Sequence, residues 1–327
     1  MLPGGADGAP FPVTAGTPAA RRALCDVLAA GRELGFVGPG PVEPHLAHAM
    51  AFARVVTRAC AVARACAGTD ERSNARGLLD TRRSRAGAPP AADAYRNKAV
   101  EASTSYATSP TTPVDGSDAV LEAEPPGPGW VLDLGSGGGL PGLVLALEWP
   151  QTTVTLLDAQ QRRTAFLADA VRRLGVTTRV QVVEGRAESL GRGAELRGRV
   201  DVVVARAFGR PAVTAECAAP FLRADGILVV SEPPVNLRTG ADPAPRAAAG
   251  RRAPGPALVV GGDDGEDAVA VPAQITQRWP DAGLAALGMG PASPVRDEFH
   301  FVVVRQLERC PERFPRRVGL PAKRPLF

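Results

Sequence analysis

The sequence predicts an α/β protein whose mostly parallel, twisted sheet is covered by helices on both faces, with a small helical part before it. Two observations support this prediction. From Trp130 onward, short apolar runs alternate with helix-period segments, which is typical of parallel strands joined by crossover helices. The runs are apolar at nearly every position, as expected for strands that are buried on both faces.

Two short amphipathic helices are predicted before the sheet. Residues 19–35 place Leu24, Val27 and Leu28 on one face, and the pattern resumes at Leu46 after "GPGPVEP". Apolar residues at this spacing form one stripe along a helix, and the Pro-Gly turn separates the two helices. The N-terminal region is therefore predicted to be helical.

The core elements alternate between strand and helix. The predicted strands are "WVLDLG" (130–135), "TTVTLLD" (152–158), "RVQVVEG" (179–185), "VDVVVARA" (200–207), "GILVVSE" (226–232) and "EFHFVVVRQL" (298–307). The predicted helices of this part are 140–148, 162–175, 211–222 and a short one within 279–288. This order predicts one doubly covered sheet.

Composition divides the chain into five segments. Residues 1–64 form the helical region, and residues 65–128 form a polar, proline-broken insertion that is predicted to be disordered, because it has too little apolar surface to offset chain entropy. The core occupies residues 129–233. Residues 234–275 are predicted to be a second insertion or long loop, and residues 276–327 supply a final helix and strand with a basic tail.

Composition also excludes several classes of protein. The five cysteines form no C-x-x-C pair and the chain has three histidines, so no metal site is expected. No apolar run approaches the ~20 residues of a membrane span, and residues 1–12 lack the features of a signal peptide. We therefore expect a cytoplasmic monomer without a membrane partner.

Positive charge is concentrated near the C-terminus. The net charge of +4 is too small by itself to indicate a polyanionic partner. From residue 305 onward, however, two glutamates are outnumbered by Arg309, Arg313, Arg316, Arg317, Lys323 and Arg324. This tail is either a solvated segment or a nucleic-acid contact, and charge alone leaves both interpretations open.

The stretch "DLGSGGGLPG" at 133–142 follows the first predicted strand and is the candidate cofactor loop. Its spacing satisfies both the dinucleotide pattern G-x-G-x-x-G and the pattern D-x-G-x-G-x-G, which begins at Asp133. Such a loop lies at the carboxyl end of a strand, where ligands of parallel sheets bind. Its glycines let the backbone approach a ligand closely, although a tight turn without a ligand fits the same residues.

Two carboxylates favour S-adenosylmethionine over a dinucleotide. Asp133, buried beside the loop, would repel a pyrophosphate by a few kcal/mol at an effective dielectric of ~20. The ammonium and sulfonium of S-adenosylmethionine would instead be attracted to it. Asp158 ends the second strand and suits either cofactor, because both present ribose hydroxyls there. We therefore predict an S-adenosylmethionine site, with a dinucleotide site as the alternative.

The residues around this loop resemble a known family. The match consists of "DLGSGGGLPGLVLALEWPQTTVTLLDAQQRRTAFL", then "EGRAE" and "ARAF", and the closing "CPERFPRRVGLPAKRPL". These stretches are similar to the small-subunit (16S) ribosomal RNA guanine-N7 methyltransferases, also called glucose-inhibited division protein B. Leu140-Pro141-Gly142 is more specific than the glycines themselves. The resemblance implies a Rossmann-like, class I S-adenosylmethionine-dependent methyltransferase.

Together with the two carboxylates, the resemblance implies a set of site residues at the ligand-binding edge. For the cofactor they are Gly135, Ser136, Gly137, Leu140, Asp158, Ala187, Glu188 and Arg206. For the RNA they are His45, Arg206, Phe208, Arg313, Arg316, Arg317 and Lys323. Arg206 and the tail cations would hold the backbone, and Phe208 would stack on an unstacked base, although Phe208 fits a core position equally well.

No catalytic residue is predicted. Guanine N7 has a lone pair and carries no proton, so its attack on a methyl group needs no general base. Alignment of the reacting atoms is expected to supply the catalysis. The expected partner is small-subunit ribosomal RNA, either free or within the small ribosomal subunit.

Three departures from the family pattern keep other functions open. His48 and Ala49 stand where the family's early helix has an acidic residue and a serine, and Glu232 in "SEPPV" could repel an RNA phosphate. The insertion at 65–128 is the third departure. The alternatives are a methyltransferase of the same fold that acts on a small molecule, and an RNA-binding or assembly factor without turnover.

Overall fold

The structure is a computed structural model that describes residues 17–83, 127–233 and 273–327. The chain divides into two units, of which the first contains residues 1–61 and 126–327 and the second residues 62–125. Of the second unit, residues 62–83 are described, and they are helical. Of the two predicted insertions, residues 84–126 and 234–272 lie outside the described residues.

The first unit is built around a sheet that has seven strands among the described residues. In chain order they are β1 (Trp130–Leu134), β2 (Thr153–Asp158), β3 (Val180–Glu184), β4 (Val200–Ala205), β5 (Leu222–Glu232), β6 (Met289–Arg296) and β7 (His300–Gln306). They lie in the order β3-β2-β1-β4-β5-β7-β6. Only β7 runs antiparallel to its neighbours, β5 and β6. The predicted, mostly parallel sheet is confirmed.

Helices precede the sheet and connect its strands. They are α1 (Pro18–Glu33), α2 (Val42–Arg83), α3 (Gly142–Glu148), α4 (Gln161–Arg173), α5 (Ala187–Leu190), α6 (Pro211–Ala218), α7 (Ala273–Arg278), α8 (Asp281–Ala285) and α9 (Leu320–Lys323). The start of α1 is capped by its own sequence. The Thr17 side chain accepts a hydrogen bond from the Ala20 amide at 3.2 Å, and Pro18 occupies the first turn.

Alternate residues of the central strands face two separate cores. In β4, Val202 and Val204 lie in one buried cluster, whereas Val203 and Ala205 lie in the other. The first cluster contains residues of α1 to α4, and the second contains residues of α6, α8 and the C-terminal tail. The predicted α/β fold with helices on both faces is therefore confirmed.

Strand β6 was not predicted, because "MGPASPVR" contains one glycine and two prolines and has no apolar run. It lies at the edge of the sheet, beyond β7. An edge strand tolerates proline because its outward-facing amides have no strand to pair with. Position in the sheet therefore overrides the local sequence signal.

The structure also differs from the sequence prediction at the boundary set at residue 65. Helix α2 runs from Val42 to Arg83 and so continues into the first predicted insertion. Hydrophobic periodicity reports the burial of one helix face, so its loss after residue 64 does not require the helix to end. The five-segment division of the chain remains a prediction.

One part of α2 corrects the expectation about membrane spans. Among the described residues, Val42–Arg64 is long and apolar enough, by length and composition, to cross a membrane, with a mean hydropathy of 1.3. The apolar side chains Phe52, Val55 and Val56 of this segment are buried in the first core cluster, where Phe52 packs edge-on against Phe301 of β7. Packing on the sheet therefore accounts for these three buried side chains, whereas Val62 of the same segment is 64% exposed.

The basic C-terminal tail is packed on the first unit through two arginines. Arg197 donates hydrogen bonds to four carbonyl oxygens, three of which belong to the tail residues Cys310, Pro311 and Phe314. Arg316 donates through Nε and Nη2 to the carboxylate of Glu216 at 2.8 and 2.6 Å, and its own backbone amide donates there as well. The Glu216 side chain is fully buried, so this pair is internal.

The Glu216–Arg316 pair makes a stability prediction. We expect Arg316→Met to cost about 3–5 kcal/mol, because it leaves a buried carboxylate without its counter-charge. The matched control is Arg317→Met, since Arg317 is the exposed neighbour, and a change of less than ~0.5 kcal/mol is expected there. Urea unfolding of both variants measures the difference, and equal losses would contradict the assignment.

Candidate functional site

The site lies where the connections from β1 and β4 diverge. β1 and β4 are parallel neighbours, and the chain continues from β1 to β2 on one side and from β4 to β5 on the other. Connections that leave in opposite directions open a crevice at the carboxyl ends of the two strands, which is where open α/β sheets bind ligands. The predicted glycine loop follows β1 and therefore enters this crevice.

The loop after β1 is fixed by backbone hydrogen bonds. The amides of Gly135 and Ser136 donate to the Leu157 carbonyl at 2.8 and 3.0 Å, and the Ser136 hydroxyl donates to the Asp133 carbonyl. Gly135 has a φ of +74°, and a Cβ there would lie 2.6 Å from Cδ2 of Phe208. A side chain at position 135 would therefore both strain the backbone and displace Phe208.

Asp158, at the end of β2, holds the same loop from the other side. Its side chain accepts a hydrogen bond from the Gly137 amide through Oδ2 at 3.0 Å and one from the Gln160 amide through Oδ1 at 2.9 Å. The guanidinium of Arg163 lies 3.5 Å from Oδ2. Each carboxylate oxygen has further lone-pair capacity, so Asp158 can also accept hydrogen bonds from ligand hydroxyls.

Asp133 is placed behind the loop, where it is buried and does not line a pocket. Its Oδ2 accepts a hydrogen bond from the Gly142 amide at 3.0 Å, and its Oδ1 has no partner among the described residues. Burial raises the pKa of Asp133 to about 7. Near neutral pH the group is therefore only partly ionised, so its repulsion of a pyrophosphate is weaker than that of the full charge expected from the sequence.

Two adjoining pockets follow from this arrangement. The first pocket, of about 240 Å³, is lined by Asp158, Ala187, Glu188 and Phe208 among others. The second pocket, of about 260 Å³, is lined by the glycine loop, Leu140, Arg206 and the backbone segment 36–38. Gly135, Arg163 and Ala207 belong to both pockets.

The eight predicted cofactor residues all lie on these walls. Four line the first pocket: Gly135, Asp158, Ala187 and Glu188. Five, counting Gly135 again, line the second: Gly135, Ser136, Gly137, Leu140 and Arg206. The structure therefore brings the predicted set together around one loop, and cofactor binding by these residues stays a prediction.

The turn after β4 distributes two side chains between the pockets. Ala207 has a φ of +53°, a left-handed conformation that costs a residue with a Cβ roughly 1–2 kcal/mol. On its two sides, Arg206 lines the second pocket and Phe208 lines the first. Phe208 also packs against the second core cluster, so it has both the core contact and the pocket position that the sequence left open.

Sequence reasoning missed the segment Phe36–Gly38, which forms part of the wall of the second pocket. It connects α1 to α2 and has no polar motif that could have marked it as part of a site. His45, predicted as an RNA contact, lines neither of these two pockets, and its Nδ1 lies 2.7 Å from Nη2 of Arg206, within hydrogen-bond distance. The connection between α1 and α2 thus forms part of the pocket wall, and His45 of α2 contacts Arg206.

The predicted RNA contacts in the tail differ in how available they are. Arg313, Arg317 and Lys323 are exposed. Arg316 is held by Glu216, so the structure gives it an internal role, and we withdraw it from the set of RNA contacts. The tail also reaches the first pocket, because the Gly319 amide donates to Oε1 of Glu188 at 2.9 Å.

The structure overturns the expected repulsion between Glu232 and an RNA phosphate. The Glu232 side chain is 4% exposed, and it accepts hydrogen bonds from Nε of Arg278 at 2.9 Å and Nε1 of Trp279 at 3.0 Å. Its charge is therefore paired and shielded from a ligand at the sheet edge. Because Arg278 and Trp279 lie far along the chain, the local stretch "SEPPV" gave no sign of them.

No group of three His, Cys, Asp or Glu side chains that could hold a metal ion is found among residues 17–83, 127–233 and 273–327. The cysteines described there, Cys25, Cys60, Cys217 and Cys310, form no disulfide.

Comparison with known proteins identifies relatives of this chain. Residues 119–232 match the family model described as rRNA small subunit methyltransferase G. The chain is 34% identical over 198 residues to a ribosomal RNA small subunit methyltransferase G from Deinococcus radiodurans, covering 60% of this chain and 65% of that protein. It is 35% identical to the protein of the same name from Deinococcus deserti, covering 60% and 68%.

A similar solved structure is that of an S-adenosylmethionine-dependent methyltransferase from Geobacter sulfurreducens in complex with S-adenosylhomocysteine. It is 32% identical, with a TM-score of 0.28, over 33% of this chain and 42% of that chain. The chain spans about two thirds of the length of the curated relatives that it matches. By its sequence match to these relatives and its sheet order, the chain belongs to the rRNA small subunit methyltransferase G family.

Proposed function

We propose that the chain transfers the methyl group of S-adenosylmethionine to N7 of a guanine in small-subunit ribosomal RNA. Membership of the methyltransferase family supports the reaction class and the RNA substrate. The observation that supports this chain's own activity most directly is the placement of all eight predicted cofactor residues on two pockets that share the loop at Gly135. The cytoplasm, where ribosomal subunits are found, is the proposed location.

The residues present fit S-adenosylmethionine. In the first pocket, Asp158 offers carboxylate lone pairs to ribose hydroxyls, and Ala187 and Glu188 offer a wall for an adenine. In the second pocket, Arg206 offers guanidinium hydrogen bonds to an α-carboxylate. When bound, S-adenosylmethionine supplies an electrophilic methyl group on a positively charged sulfur.

The contribution of the chain to the reaction is alignment. Guanine N7 attacks with its own lone pair, so no residue needs to remove a proton from it. The glycine loop and the turn at Ala207 line the pockets in which the reacting atoms would lie, and rigid placement of reactants accelerates such a reaction without an acid or base. Phe208, at the pocket wall, is proposed to stack on the target base.

The exposed tail cations are proposed to hold the RNA backbone. Arg313, Arg317 and Lys323 lie on the tail that contacts Glu188 of the first pocket through Gly319. Contacts to phosphates fix the register of a nucleic acid and do not read its sequence. The base would therefore be selected by the pocket and by the fold of the RNA.

Two other functions remain testable alternatives. A small-molecule substrate was suggested by Glu232 and by the departure of His48 and Ala49 from the family pattern, and the burial and pairing of Glu232 remove the first of these reasons. Labelled methyl transfer to purified small ribosomal subunits, compared with transfer to a metabolite extract, separates the two substrates. A non-catalytic RNA-binding protein would show neither transfer.

The first prediction from the proposed function concerns Asp158. Asp158→Ala is expected to weaken S-adenosylmethionine binding by about 10- to 100-fold, because hydrogen bonds to a charged group contribute roughly 1.5–3 kcal/mol. The matched control is Asp169→Ala on the exposed face of α4, which should bind normally. Isothermal calorimetry measures both, and equal affinities would contradict the proposed cofactor site.

The second prediction uses the raised pKa of Asp133, which is about 7. A cationic cofactor near Asp133 favours its ionised form, so the affinity for S-adenosylmethionine should rise with pH through about 7, by at most about tenfold per unit. Asp133→Asn should remove this rise. A pyrophosphate cofactor would give the opposite slope, so affinity that falls with pH would favour the dinucleotide alternative.

The third prediction concerns salt. Replacing Arg313, Arg317 and Lys323 together by Gln should weaken RNA binding, and it should lower the slope of log affinity against log salt by about 0.7–0.9 for each phosphate that is no longer neutralised. Replacing the exposed Arg21, Arg22 and Arg173 by Gln is the control with equal charge change. Filter binding over a salt series measures both, and identical slopes for the two triple variants would contradict a role for the tail.

A further inference from the structure

Arg206 is held in place by a side chain that lines neither pocket. Its Nη2 lies 2.7 Å from Nδ1 of His45, which belongs to α2. Among the described residues, this is the one hydrogen bond that the Arg206 guanidinium makes within the chain. Burial lowers the pKa of Arg206, and the nearby Asp133 acts in the opposite direction. Because a guanidinium stays protonated in proteins, the side chain is a cation inside the second pocket.

The partners of His45 determine which of its nitrogens carries the proton. Nε2 lies 3.1 Å from the Gly38 carbonyl oxygen and 3.2 Å from the Pro39 carbonyl oxygen. Carbonyl oxygens only accept hydrogen bonds, so Nε2 must be the donor. Arg206 only donates, so Nδ1 must be the acceptor and must be unprotonated. The geometry therefore selects the neutral, Nε2-protonated imidazole.

In this form His45 connects two walls of the second pocket. Through Nε2 it binds the carbonyls of Gly38 and Pro39, at the end of the pocket segment Phe36–Gly38, and through Nδ1 it binds Arg206. The ring also packs on the loop, because a Cβ on Gly38 would lie 3.1 Å from Cε1 of His45. One imidazole thus contacts both the connection between α1 and α2 and the Arg206 side chain.

We propose that His45 is a positioning residue of the methyltransferase site: as the Nε2-protonated imidazole it orients the Arg206 guanidinium toward the ligand and locks the 36–39 segment against it. The proposal rests on the proposed function, and it replaces the predicted contact between His45 and RNA. Arg206 has five N–H donors, so the single hydrogen bond to His45 leaves the other four for the ligand.

The proposal has a pH dependence with a defined sign. Protonation of Nδ1 would place a second N–H donor, on a cation, against the cationic Arg206, and the bond between them would break. The other titratable group that faces His45 is His48 on the same helix, and burial lowers the pKa of His48 to about 4. From α1, Arg32 reaches the same loop at the Gly40 carbonyl. Neither of these two neighbours is an anion.

The tautomer can be measured without any activity. Long-range ¹H–¹⁵N NMR of the ligand-free protein at pH 8 should show His45 protonated on Nε2 with an unprotonated Nδ1. In Arg206→Gln, the ¹⁵N chemical shift of His45 Nδ1 is expected to change, because the guanidinium that donates a hydrogen bond to it is removed. A His45 that is protonated on Nδ1, or that shows no response to Arg206→Gln, would overturn the proposal whether or not the protein methylates RNA.

Kinetics of three variants test the consequence. His45→Phe, which keeps a ring and removes the acceptor, should lower kcat by about 10- to 100-fold, since small misplacements in a site can cost that much. His45→Asn presents an oxygen near the position of Nδ1, so it should recover part of the lost kcat. Because an amide is not protonated in this range, the variant should also lack the fall in kcat toward acid pH, called the acid limb, that is expected when Nδ1 of His45 takes up a proton. His48→Phe, on the same helix and without a hydrogen bond to Arg206, should leave the pH profile of kcat unchanged.

The outcomes separate this proposal from the proposed function. Absence of methyl transfer by the unaltered protein would contradict the proposed function, and the NMR result would stand by itself. Active protein whose His45→Phe variant is folded and retains its kcat and acid limb would overturn the positioning role. Loss of kcat in His45→Phe without recovery in His45→Asn would also count against a hydrogen-bond role.

Discussion

The parallel pairing of β1 with β4 is the constraint on which the other features depend. Since the chain leaves β1 toward β2 and leaves β4 toward β5, the two connections part at the carboxyl edge and cannot fill the space between them. The glycine loop and the turn at Ala207 therefore face each other. The pockets, the contact of Phe208 on Gly135 and the placement of Arg206 all follow from this divergence.

Local patterns were sufficient to predict the central strands and the sheet edge on which the candidate site residues come together. Apolar runs marked β1 to β5 and β7, of which β1, β2 and β4 are buried along almost their whole length, whereas the edge strand β3 is largely half-buried or exposed. The glycine loop with Asp158 marked the edge where a ligand is proposed to bind. Edge strand β6 and the continuation of α2 carry no such signal. β6 forms by pairing with β7, and α2 continues as an unbroken helix past residue 64. Hydrophobic periodicity reports neither feature.

The parts of the site that were missed depend on contacts between distant residues. Glu232 looked like a free anion, yet Arg278 and Trp279 pair with it across a long stretch of chain. Arg316 looked like an RNA contact, yet Glu216 binds it in the interior. His45 looked like a ligand for RNA, and it binds Arg206 instead. Residue type and spacing locate charges, whereas only the fold shows which charges neutralise one another.

The central claim is that the crevice beside the glycine loop delivers a methyl group to guanine N7 of small-subunit ribosomal RNA. It is tested most directly by incubating the protein with methyl-labelled S-adenosylmethionine and small ribosomal subunits from cells that lack the gene, and then mapping the label by mass spectrometry. The account predicts label on N7 of one guanine. Label on another atom or on no nucleotide, with active cofactor binding, would contradict it.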